Sequence, residues 1–318
     1  MSPYKQLTDA DVDHFLAHGY IKLKDCFTRE QAAEITENVW TRLGMSPTDK
    51  STWTSERINM PGHKEMDVSV FAPKAWDAIC DLVGGAERIS AENRNWRDSL
   101  IVNLGTPQGD GKDIPPQKLP GWHVDGDFFV HYLDSPEQGL LVILLFTDIA
   151  PSAGGTMICP PAIGTVARHL YEHPEGVSPR MTPREQNPKF VQEKGLTWFN
   201  DLAASFGDDA FVEASGEIGD VYLLHPLMLH SASNNKLRIP RIITNPPVSL
   251  VSPFIFDREN ESEYSLVEKK TLKELGEGSL KGWKITEERQ RVVPERVRIQ
   301  EAMKARELER LKAIAAAA

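Results

Sequence analysis

A histidine and an aspartate separated by one residue, His123 and Asp125, are the side chains best suited to bind a metal ion. If the segment is extended, both point to the same face, because strand side chains alternate with a period of two. Asp127 follows closely, and two carboxylates and an imidazole within five residues are costly to bury without a cation. One more histidine from a distant strand would complete two imidazoles and one carboxylate, a set that leaves coordination positions open and suits a non-haem Fe(II) oxygenase.

Two histidines, His225 and His230, compete for this third ligand position. Their spacing of five residues puts them on opposite faces of a regular strand, so only one of them can face the metal. Pro226 disturbs the strand just after His225, whereas His230 emerges from an apolar stretch and is followed eleven residues later by Arg241.

The elements that would position these side chains are short strands preceded by helices. Helices are predicted over residues 7–19, from Thr28 to about Leu43, and over residues 74–84 and 165–173. Strands are predicted over residues 20–23, 99–104, 122–132, 139–146, 156–159, 220–224, 228–231 and 242–248. Residues 44–70 are predicted to be loop. Short strands separated by turns favour a sandwich or a jelly roll.

Two segments depart from this pattern. The polar insertion 174–210 carries Trp198 and Phe199 and is a candidate lid, because long loops in compact domains tend to be functional or disordered. Residues 286–312 are rich in Glu, Arg and Lys with charge pairs three positions apart, which predicts a solvated helix with a break at Pro294. The alternative role for this tail is a contact between the subunits of a homodimer.

The composition argues against several classes of function. The 318 residues are 40% hydrophobic and 26% charged, as in ordinary globular proteins, and the net charge of −10 argues against a nucleic-acid partner, which requires a basic patch. No run is long enough to span a membrane, and the opening residues lack the apolar core of a secretory signal. The three cysteines are far apart, which predicts neither disulfides nor a zinc site and fits a reducing, cytoplasmic location.

Five segments in this order resemble the Fe(II)/2-oxoglutarate dioxygenases of the phytanoyl-CoA dioxygenase family: LTDADVDHFLAHGYIKLKDCF, GWHVDG, DIAPSAGGTMICPP, GDVYLLHPLMLHSASNN and RIPRIITNPPV. The resemblance covers about residues 7–250. It implies a mainly β (α+β) fold, a cupin-like double-stranded β-helix or jelly roll with flanking N-terminal helices and a C-terminal helix. We expect a single domain over residues 1–318, with a helical part at 1–94, a jelly-roll core at about 95–255 and a charged helical tail at 285–318.

The resemblance also implies the cofactors and their ligands. It implies Fe(II) bound by His123, Asp125 and His230, with 2-oxoglutarate and O2 converted to succinate and CO2. In this family an arginine about eleven residues after the second histidine binds the distal carboxylate of 2-oxoglutarate. That arginine corresponds to Arg241, with Arg238 as a rival. An arginine fork suits this carboxylate better than a lysine does.

Further contacts are expected around this centre. The resemblance implies that the hydroxyl of Thr156 contacts 2-oxoglutarate. The amide of Asn103 is a weaker candidate, because hydrogen bonds to the backbone explain a buried asparagine equally well. Six residues are candidates for lining the substrate pocket. Period-two spacing from Asp125 gives Asp127, Phe129 and His131. A loop that often covers the barrel mouth in this family gives Met60, His63 and Phe71.

The function implied is oxidation of a C–H bond, by hydroxylation, desaturation or cyclisation, of a small organic metabolite such as a natural-product intermediate. An acyl-CoA would require a basic groove, which the sequence does not suggest near the site. Halogenating relatives replace the carboxylate by Gly or Ala, so Asp125 disfavours halogenation. The alternatives are a non-catalytic jelly-roll binding protein and a protein-side-chain hydroxylase with the same iron site.

Overall fold

The computed structural model describes residues 3–190, 195–294 and 296–317. The helices are α1 Asp9–His18, α2 Arg29–Thr36, α3 Val39–Leu43, α4 Val68–Phe71, α5 Pro73–Val83, α6 Ala162–Glu172, α7 Thr197–Ala204, α8 Leu266–Leu275 and α9 Arg296–Ala317. The strands are β1 Tyr20–Leu23, β2 Arg57–Asn59, β3 Glu65–Asp67, β4 Asn95–Arg97, β5 Ile101–Asn103, β6 Leu140–Leu145, β7 Thr156–Cys159, β8 Val212–Ala214, β9 Val221–Leu224, β10 Leu229–Ala232, β11 Arg241–Thr244 and β12 Pro247–Val248.

The first two helices begin where the sequence supplies caps. The Thr8 hydroxyl accepts the N–H of Asp11 while the Asp11 carboxylate accepts the N–H of Thr8, and Thr28 forms the same capping box with Gln31. Helix α1 ends at Gly19, whose φ of 71° suits a residue without a side chain, and the chain enters β1 at once. The predicted helix 7–19 and strand 20–23 are therefore confirmed.

Two predictions near the N-terminus are wrong in part. The helix expected from Thr28 to Leu43 is interrupted, because α2 ends at Thr36 and Asn38 has non-helical angles before α3 starts. The stretch 44–70, predicted as loop, contains β2, β3 and α4. Strands of three residues are too short for their alternation to be recognised, and their stability depends on distant partner strands.

The strands form antiparallel sheets. The larger sheet has the order β1-β9-β6-β11-β5-β2, with β12 beside β6, and a smaller sheet has the order β10-β7-β8. Strands β3 and β4 pair separately. Strands β1 and β2, from the part expected to be helical, form the two edges of the larger sheet. The predicted fold class, a jelly roll with flanking helices, is confirmed.

Strand β6 lies inside the larger sheet, and all six of its residues are buried. Its apolar run Leu140–Leu145 has no polar face, as predicted for a strand buried on both sides. Strands β9 and β11 flank it, and Arg241 is the first residue of β11.

The insertion and the tail differ from the sequence prediction. Helix α7 lies within 174–210, of which residues 191–194 are outside the described ranges, and Phe199 is buried in the core instead of covering an opening. Helix α9 begins after Pro294, so the proline precedes the helix and does not break it. The tail is not fully solvated, since Glu307 on α9 is buried. No helix in the described ranges combines the length and the hydropathy that crossing a membrane requires.

Candidate metal centre

Two histidines face each other across an isolated antiparallel bridge at β10. The N–H of His123 donates to the carbonyl of His230 and the N–H of His230 donates to that of His123, both at 2.9 Å. Residues directly opposite each other in an antiparallel pair project to the same side. The two imidazole rings therefore lie side by side, with their centroids 4.3 Å apart.

The carboxylate of Asp125 completes the cluster. Its Oδ1 lies 3.5 Å from Nε2 of His123 and 3.6 Å from Nε2 of His230. The three candidate ligand atoms all lie within 4.8 Å of one another. The other carboxylate oxygen, Oδ2, accepts a hydrogen bond of 3.2 Å from the Asn245 side-chain amide. Gly126 follows with a φ of 124°, which allows the chain to turn directly after the carboxylate.

Both imidazoles are oriented by a backbone carbonyl. Nδ1 of His123 lies 2.8 Å from the carbonyl oxygen of Gly121, and Nδ1 of His230 lies 3.0 Å from that of Met228. A carbonyl can only accept, so each Nδ1 must carry the proton. Nε2 is then the nitrogen of each ring that remains to bind a metal in the space between the three side chains, as in metal sites whose histidines are held by a hydrogen bond.

Electrostatics favour an ionised carboxylate in this cluster. Burial acts to raise the pKa of Asp125, but hydrogen bonds from His123 and His230 and their charges hold it far below the ordinary value. Burial acts to lower the pKa of His123, while the hydrogen bond and charge of Asp125 raise it above the ordinary value. The carboxylate and the His123 imidazole thus favour each other's charged forms, and a metal cation bound by Nε2 would replace the imidazolium proton in pairing with Asp125.

The histidine that competed for the third position has a different role. Nδ1 of His225 accepts the N–H of Leu227 at 3.2 Å, and its Nε2 donates to the Thr271 hydroxyl at 2.9 Å. Both ring nitrogens are thus engaged, the side chain is fully buried, and burial followed by the charge of Lys270 lowers its pKa to about 3. We interpret His225 as a neutral structural histidine.

Arg241 is a buried cation that has no acidic partner among the residues that the structure describes. Its side chain is 2% exposed, Nε donates to the carbonyl of Gly154 at 2.7 Å, and Nη1 lies 3.5 Å from the carbonyl oxygen of Ile101. Burial, reinforced by the charge of Arg57, lowers its pKa to about 10. Within the described part of the chain no carboxylate lies within 4 Å of it, and the carboxylate of Glu213, whose charge acts on it, accepts backbone N–H groups instead. Such a cation calls for an anionic ligand.

Thr156 projects from the same face of the smaller sheet as His230, the third candidate ligand. In the register of β7 and β10, Ile158 stands opposite His230 and Thr156 stands opposite Ala232, so Thr156 and His230 project to the same side. Its side chain is buried, and its hydroxyl has no hydrogen-bond partner among the described residues. The hydroxyl is therefore available to a ligand beside Gly154, whose carbonyl Arg241 binds.

Asn103 lies opposite Arg241 in the pairing of β5 and β11, but its amide is committed to the backbone. Nδ2 donates to the carbonyls of Gly154 and Ser233, at 3.4 and 3.1 Å, and Oδ1 accepts the N–H of Gly105 at 3.1 Å. The structure thus supports the backbone explanation for this asparagine.

The rival arginine, Arg238, lies before β11. Its guanidinium stacks over the ring of Trp53, 5.4 Å from the centroid, and its Nε is buried without a hydrogen-bond partner in the described structure. Arg241 instead lies within β11, in register with Asn103 of the neighbouring strand.

Three predicted pocket residues follow Asp125 and surround its turn. Asp127 is bound by the guanidinium of Arg296 at the start of α9, through Nε at 2.5 Å and Nη2 at 2.7 Å. The Phe129 ring stacks on His131 with centroids 4.4 Å apart, and Nε2 of His131 donates to the carbonyl of Gly126 at 2.7 Å. Phe129 and His131 are buried and support the turn that carries Asp125.

The other three predicted pocket residues are not brought to the cluster. Met60 is buried in the core, where its N–H donates to the carbonyl of Leu100. His63 lies 2.8 Å from the carboxylate of Glu307 on α9. Phe71 stacks on Phe27 and lines a separate cleft of about 560 Å³.

Two residues near the site were missed by the sequence analysis. Asn245, which holds Asp125, is a polar residue directly after a buried strand, and that position could have revealed it. Arg57 lies on β2 in register with Asn103, and its Nη1 is 3.6 Å from the position that a Cβ on Gly121 would occupy. Its nearest acid in the described ranges, Glu56, lies 3.9 Å away. Arg57 could not be found because β2 was predicted as loop.

A jelly roll that brings two imidazoles and one carboxylate together with open positions defines a non-haem iron oxygenase. The family model of the phytanoyl-CoA dioxygenases (PhyH) matches residues 15–243, most of the chain, and the chain belongs to that family. It is an Fe(II)/2-oxoglutarate-dependent dioxygenase, with iron and 2-oxoglutarate as cofactor and cosubstrate. No curated protein sequence matches the chain.

Solved structures resemble the chain in fold. They include EctD from S. alaskensis with bound Fe, at 15% identity over 76% of each chain with a TM-score of 0.42. HygX from Streptomyces hygroscopicus, with nickel, 2-oxoglutarate and hygromycin B bound, has 11% identity over 74% of this chain and 85% of its own, with a TM-score of 0.40. A hypothetical protein from Escherichia coli has 11% identity over 77% of this chain and 69% of its own, with a TM-score of 0.47.

Proposed function

We propose that this dioxygenase oxidises a C–H bond of a small organic metabolite, such as a natural-product intermediate, at a metal held by His123, Asp125 and His230. The observation that carries the proposal is the convergence of three ligand atoms within 4.8 Å, with Nδ1 of both histidines bound to backbone carbonyls and Nε2 left for the metal. Fe(II) bound there supplies the oxidising chemistry, in which 2-oxoglutarate and O2 give succinate and CO2.

The surrounding residues prepare the ligands. The carbonyls of Gly121 and Met228 hold the imidazoles in one tautomer, and Asn245 holds the carboxylate through its second oxygen. A ligand set whose orientation is already fixed loses little conformational entropy when a metal binds.

We assign the binding of 2-oxoglutarate to Arg241 and Thr156. The distal carboxylate of 2-oxoglutarate would form the charged pair that Arg241 lacks within the described protein, and the free Thr156 hydroxyl would donate to the same ligand. Arg57, whose charge acts on Arg241, adds positive potential for a dianion. We assign to Asn103 the role of holding the backbone beside Arg241 in position.

A small substrate is supported by the partial enclosure of the centre. The side chains of His123, Asp125 and His230 are 35%, 21% and 6% exposed, so the centre opens to solvent mainly at His123. The cysteines Cys26, Cys80 and Cys159 are unpaired, which supports a reducing, cytoplasmic setting. We further propose that the flanking helices and the tail form one domain with the jelly roll, because Glu307 of α9 pairs with Arg42 of α3.

The test is Fe(II)- and 2-oxoglutarate-dependent succinate release by the wild type and by two histidine variants. His230→Ala should abolish release and iron retention, because it removes a ligand. His225→Ala should retain iron and lose mainly thermal stability, because both of its ring nitrogens bond within the protein. Iron retained by His230→Ala but lost by His225→Ala would refute the ligand assignment.

A further inference from the structure

The C-terminal tail pairs with the segment that follows Asp125. The N–H of Val130 donates to the carbonyl of Gln290 at 2.9 Å, and the N–H of Val292 donates to the carbonyl of Phe128 at 2.8 Å. The two segments run antiparallel at this bridge. The part of the tail that precedes α9 is therefore bonded to the backbone of the segment that carries a candidate metal ligand.

The two acidic residues of the turn that leaves the metal centre are each held by a side chain. Oδ2 of Asp125 accepts the amide of Asn245 at 3.2 Å. Nε of Arg296 donates to Oδ2 of Asp127 at 2.5 Å, and Nη2 of Arg296 donates to Oδ1 at 2.7 Å. A bidentate pair of this kind fixes the orientation of a carboxylate as well as its position. Since Arg296 is the first residue of α9, this contact joins the turn to the tail.

A glycine separates the candidate ligand Asp125 from Asp127. Gly126 has a φ of 124°, in a region that residues with side chains rarely adopt, and a glycine leaves the backbone free to rotate there. The Cα atoms of Asp125 and Asp127 are at most about 7 Å apart, because only two peptide units join them. A contact that fixes Asp127 therefore limits the movement of the ligand on the other side of the glycine.

Arg296 lies between two points at which the tail is fixed. Further along α9, the buried carboxylate of Glu307 binds Nε of the buried Arg42 at 2.9 Å. Just before α9, the backbone bond of Val292 holds the chain. An arginine on a backbone that is fixed on both sides loses less conformational freedom in forming an ion pair than one on a flexible terminus.

We propose that Arg296 is a positioning residue for the metal centre, which acts through Asp127 to hold the turn that presents the carboxylate of Asp125 to the metal. This inference rests on the proposed ligand role of Asp125. It makes the C-terminal helix a support of the active centre, although 169 residues separate Arg296 from Asp127 in the chain. Groups that orient metal ligands from outside the coordination sphere contribute to metal affinity.

Charge and position predict opposite effects of removing Arg296. A cation close to a metal site repels the metal, so a loss of charge alone should make metal binding tighter. A loss of positioning should instead make it weaker. The side chains of Asp127 and Arg296 are 32% and 46% exposed, so the effect should be smaller than the roughly 10–100-fold loss typical of removing a direct partner of a ligand.

The test uses the full chain and Mn(II) as the probe, with the affinity measured by calorimetry. The variants are Arg296→Ala, Arg296→Lys, Asp127→Asn and the double variant that combines Arg296→Ala with Asp127→Asn. The matched control is Arg306→Ala, which removes an exposed arginine from the same helix that has no ion pair with any described residue. Hydrogen exchange of the metal-free proteins, followed by mass spectrometry, reports whether α9 stays in place.

We expect Arg296→Ala to bind Mn(II) about three- to fivefold more weakly than the wild type, the upper part of the range for a half-exposed ion pair. Arg296→Lys should be intermediate, because a lysine keeps the charge but loses the fork. In the Asp127→Asn background, Arg296→Ala should cause no further loss, because the pair is already broken. Arg306→Ala should bind as the wild type does. Exchange in α9 should be unchanged in Arg296→Ala, because Glu307 still anchors the helix.

Three results would overturn the proposal: equal or tighter binding by Arg296→Ala, an equal loss in the Asp127→Asn background, or faster exchange throughout α9 in metal-free Arg296→Ala, which would show that the arginine holds the tail and not the turn. His230→Ala is titrated in parallel. Wild-type binding that does not depend on His230 would overturn the proposed ligands and this inference with them. Binding that depends on His230 but is unchanged in Arg296→Ala would overturn the role of Arg296 alone.

Discussion

Two buried arginines, Arg42 on α3 and Arg241 on β11, occupy opposite electrostatic surroundings. They are 3% and 2% exposed. Arg42 forms ion pairs with Asp98 at 2.8 Å and with Glu307 at 2.9 Å, and it donates to the carbonyl of Pro61. Among the described residues, Arg241 contacts only the carbonyls of Gly154 and Ile101. One positive charge is matched by carboxylates in this part of the chain, and the other is not.

The difference separates structure from function. A buried charge that is fully paired holds elements together, and Arg42 joins α3 to α9, which starts more than 250 residues later in the chain. A buried charge that is unmatched lowers stability unless a ligand completes it, so such charges mark binding sites. Arg42 is thus interpreted as an anchor of the tail, and Arg241 as half of a pair whose other half is 2-oxoglutarate.

The largest effect on stability is expected from Arg42→Ala. The substitution leaves two buried carboxylates without their cation, and breaking a buried pair costs about 3–5 kcal/mol. Denaturant unfolding should show this loss in the free energy of unfolding, while the dependence of the remaining folded protein on 2-oxoglutarate should stay unchanged. A stability equal to that of the wild type would remove the distinction between the two arginines.

Arg241→Ala should give the reverse pattern. Removing an unmatched buried cation should leave the stability of the metal-free protein unchanged or higher, but the 2-oxoglutarate requirement should rise by roughly two to three and a half decades. Steady-state succinate release at a range of 2-oxoglutarate concentrations measures this, with iron content determined in parallel. An unchanged requirement would transfer the role to Arg238 or end the cosubstrate assignment.

A smaller effect is expected in the pH dependence of stability, which distinguishes His225 from the metal ligands. The pKa of His225 is lowered to about 3, so between about pH 6.5 and 3 the unfolded chain binds a proton at this site that the folded chain does not. Stability is therefore lost as the pH falls. From pH 6.5 to pH 5 the wild type should lose about 1–2 kcal/mol more than His225→Ala, as measured by unfolding at each pH. Parallel losses in the two proteins would show that His225 is not held neutral.

Local signals could be recognised from the sequence, and contacts between distant segments could not. The capping residues Thr8 and Thr28 and the apolar run of β6 act within a few residues of themselves, so these elements were predicted. Glu307 was expected in solvent on a charged helix, but it is buried because it pairs with Arg42, 265 residues away. Nothing in the local pattern of the tail indicates that partner.

The candidate site shows the same division. His123 and Asp125 were predicted from period-two spacing on a strand, and His230 and Arg241 from the resemblance to a family. The structure has no regular strand at residues 122–132, since His123 forms an isolated bridge and the chain bends at Asp125, before Gly126. The predicted Phe71 instead faces a separate cleft, and Arg57 went unnoticed on a strand of three residues. Which residues surround a turn depends on the tertiary pairing of short strands, for which single-sequence patterns carry little signal.

The most direct test of the central claim is an anaerobic titration of the Fe(II)-loaded protein with 2-oxoglutarate, followed by visible absorption. Chelation of the iron by the keto acid should produce a weak charge-transfer band that saturates in the wild type. The band should be absent from His230→Ala and should require far more 2-oxoglutarate in Arg241→Ala. A wild type without the band, or a His230→Ala protein that develops it at the same concentrations, would contradict the assignment of this centre.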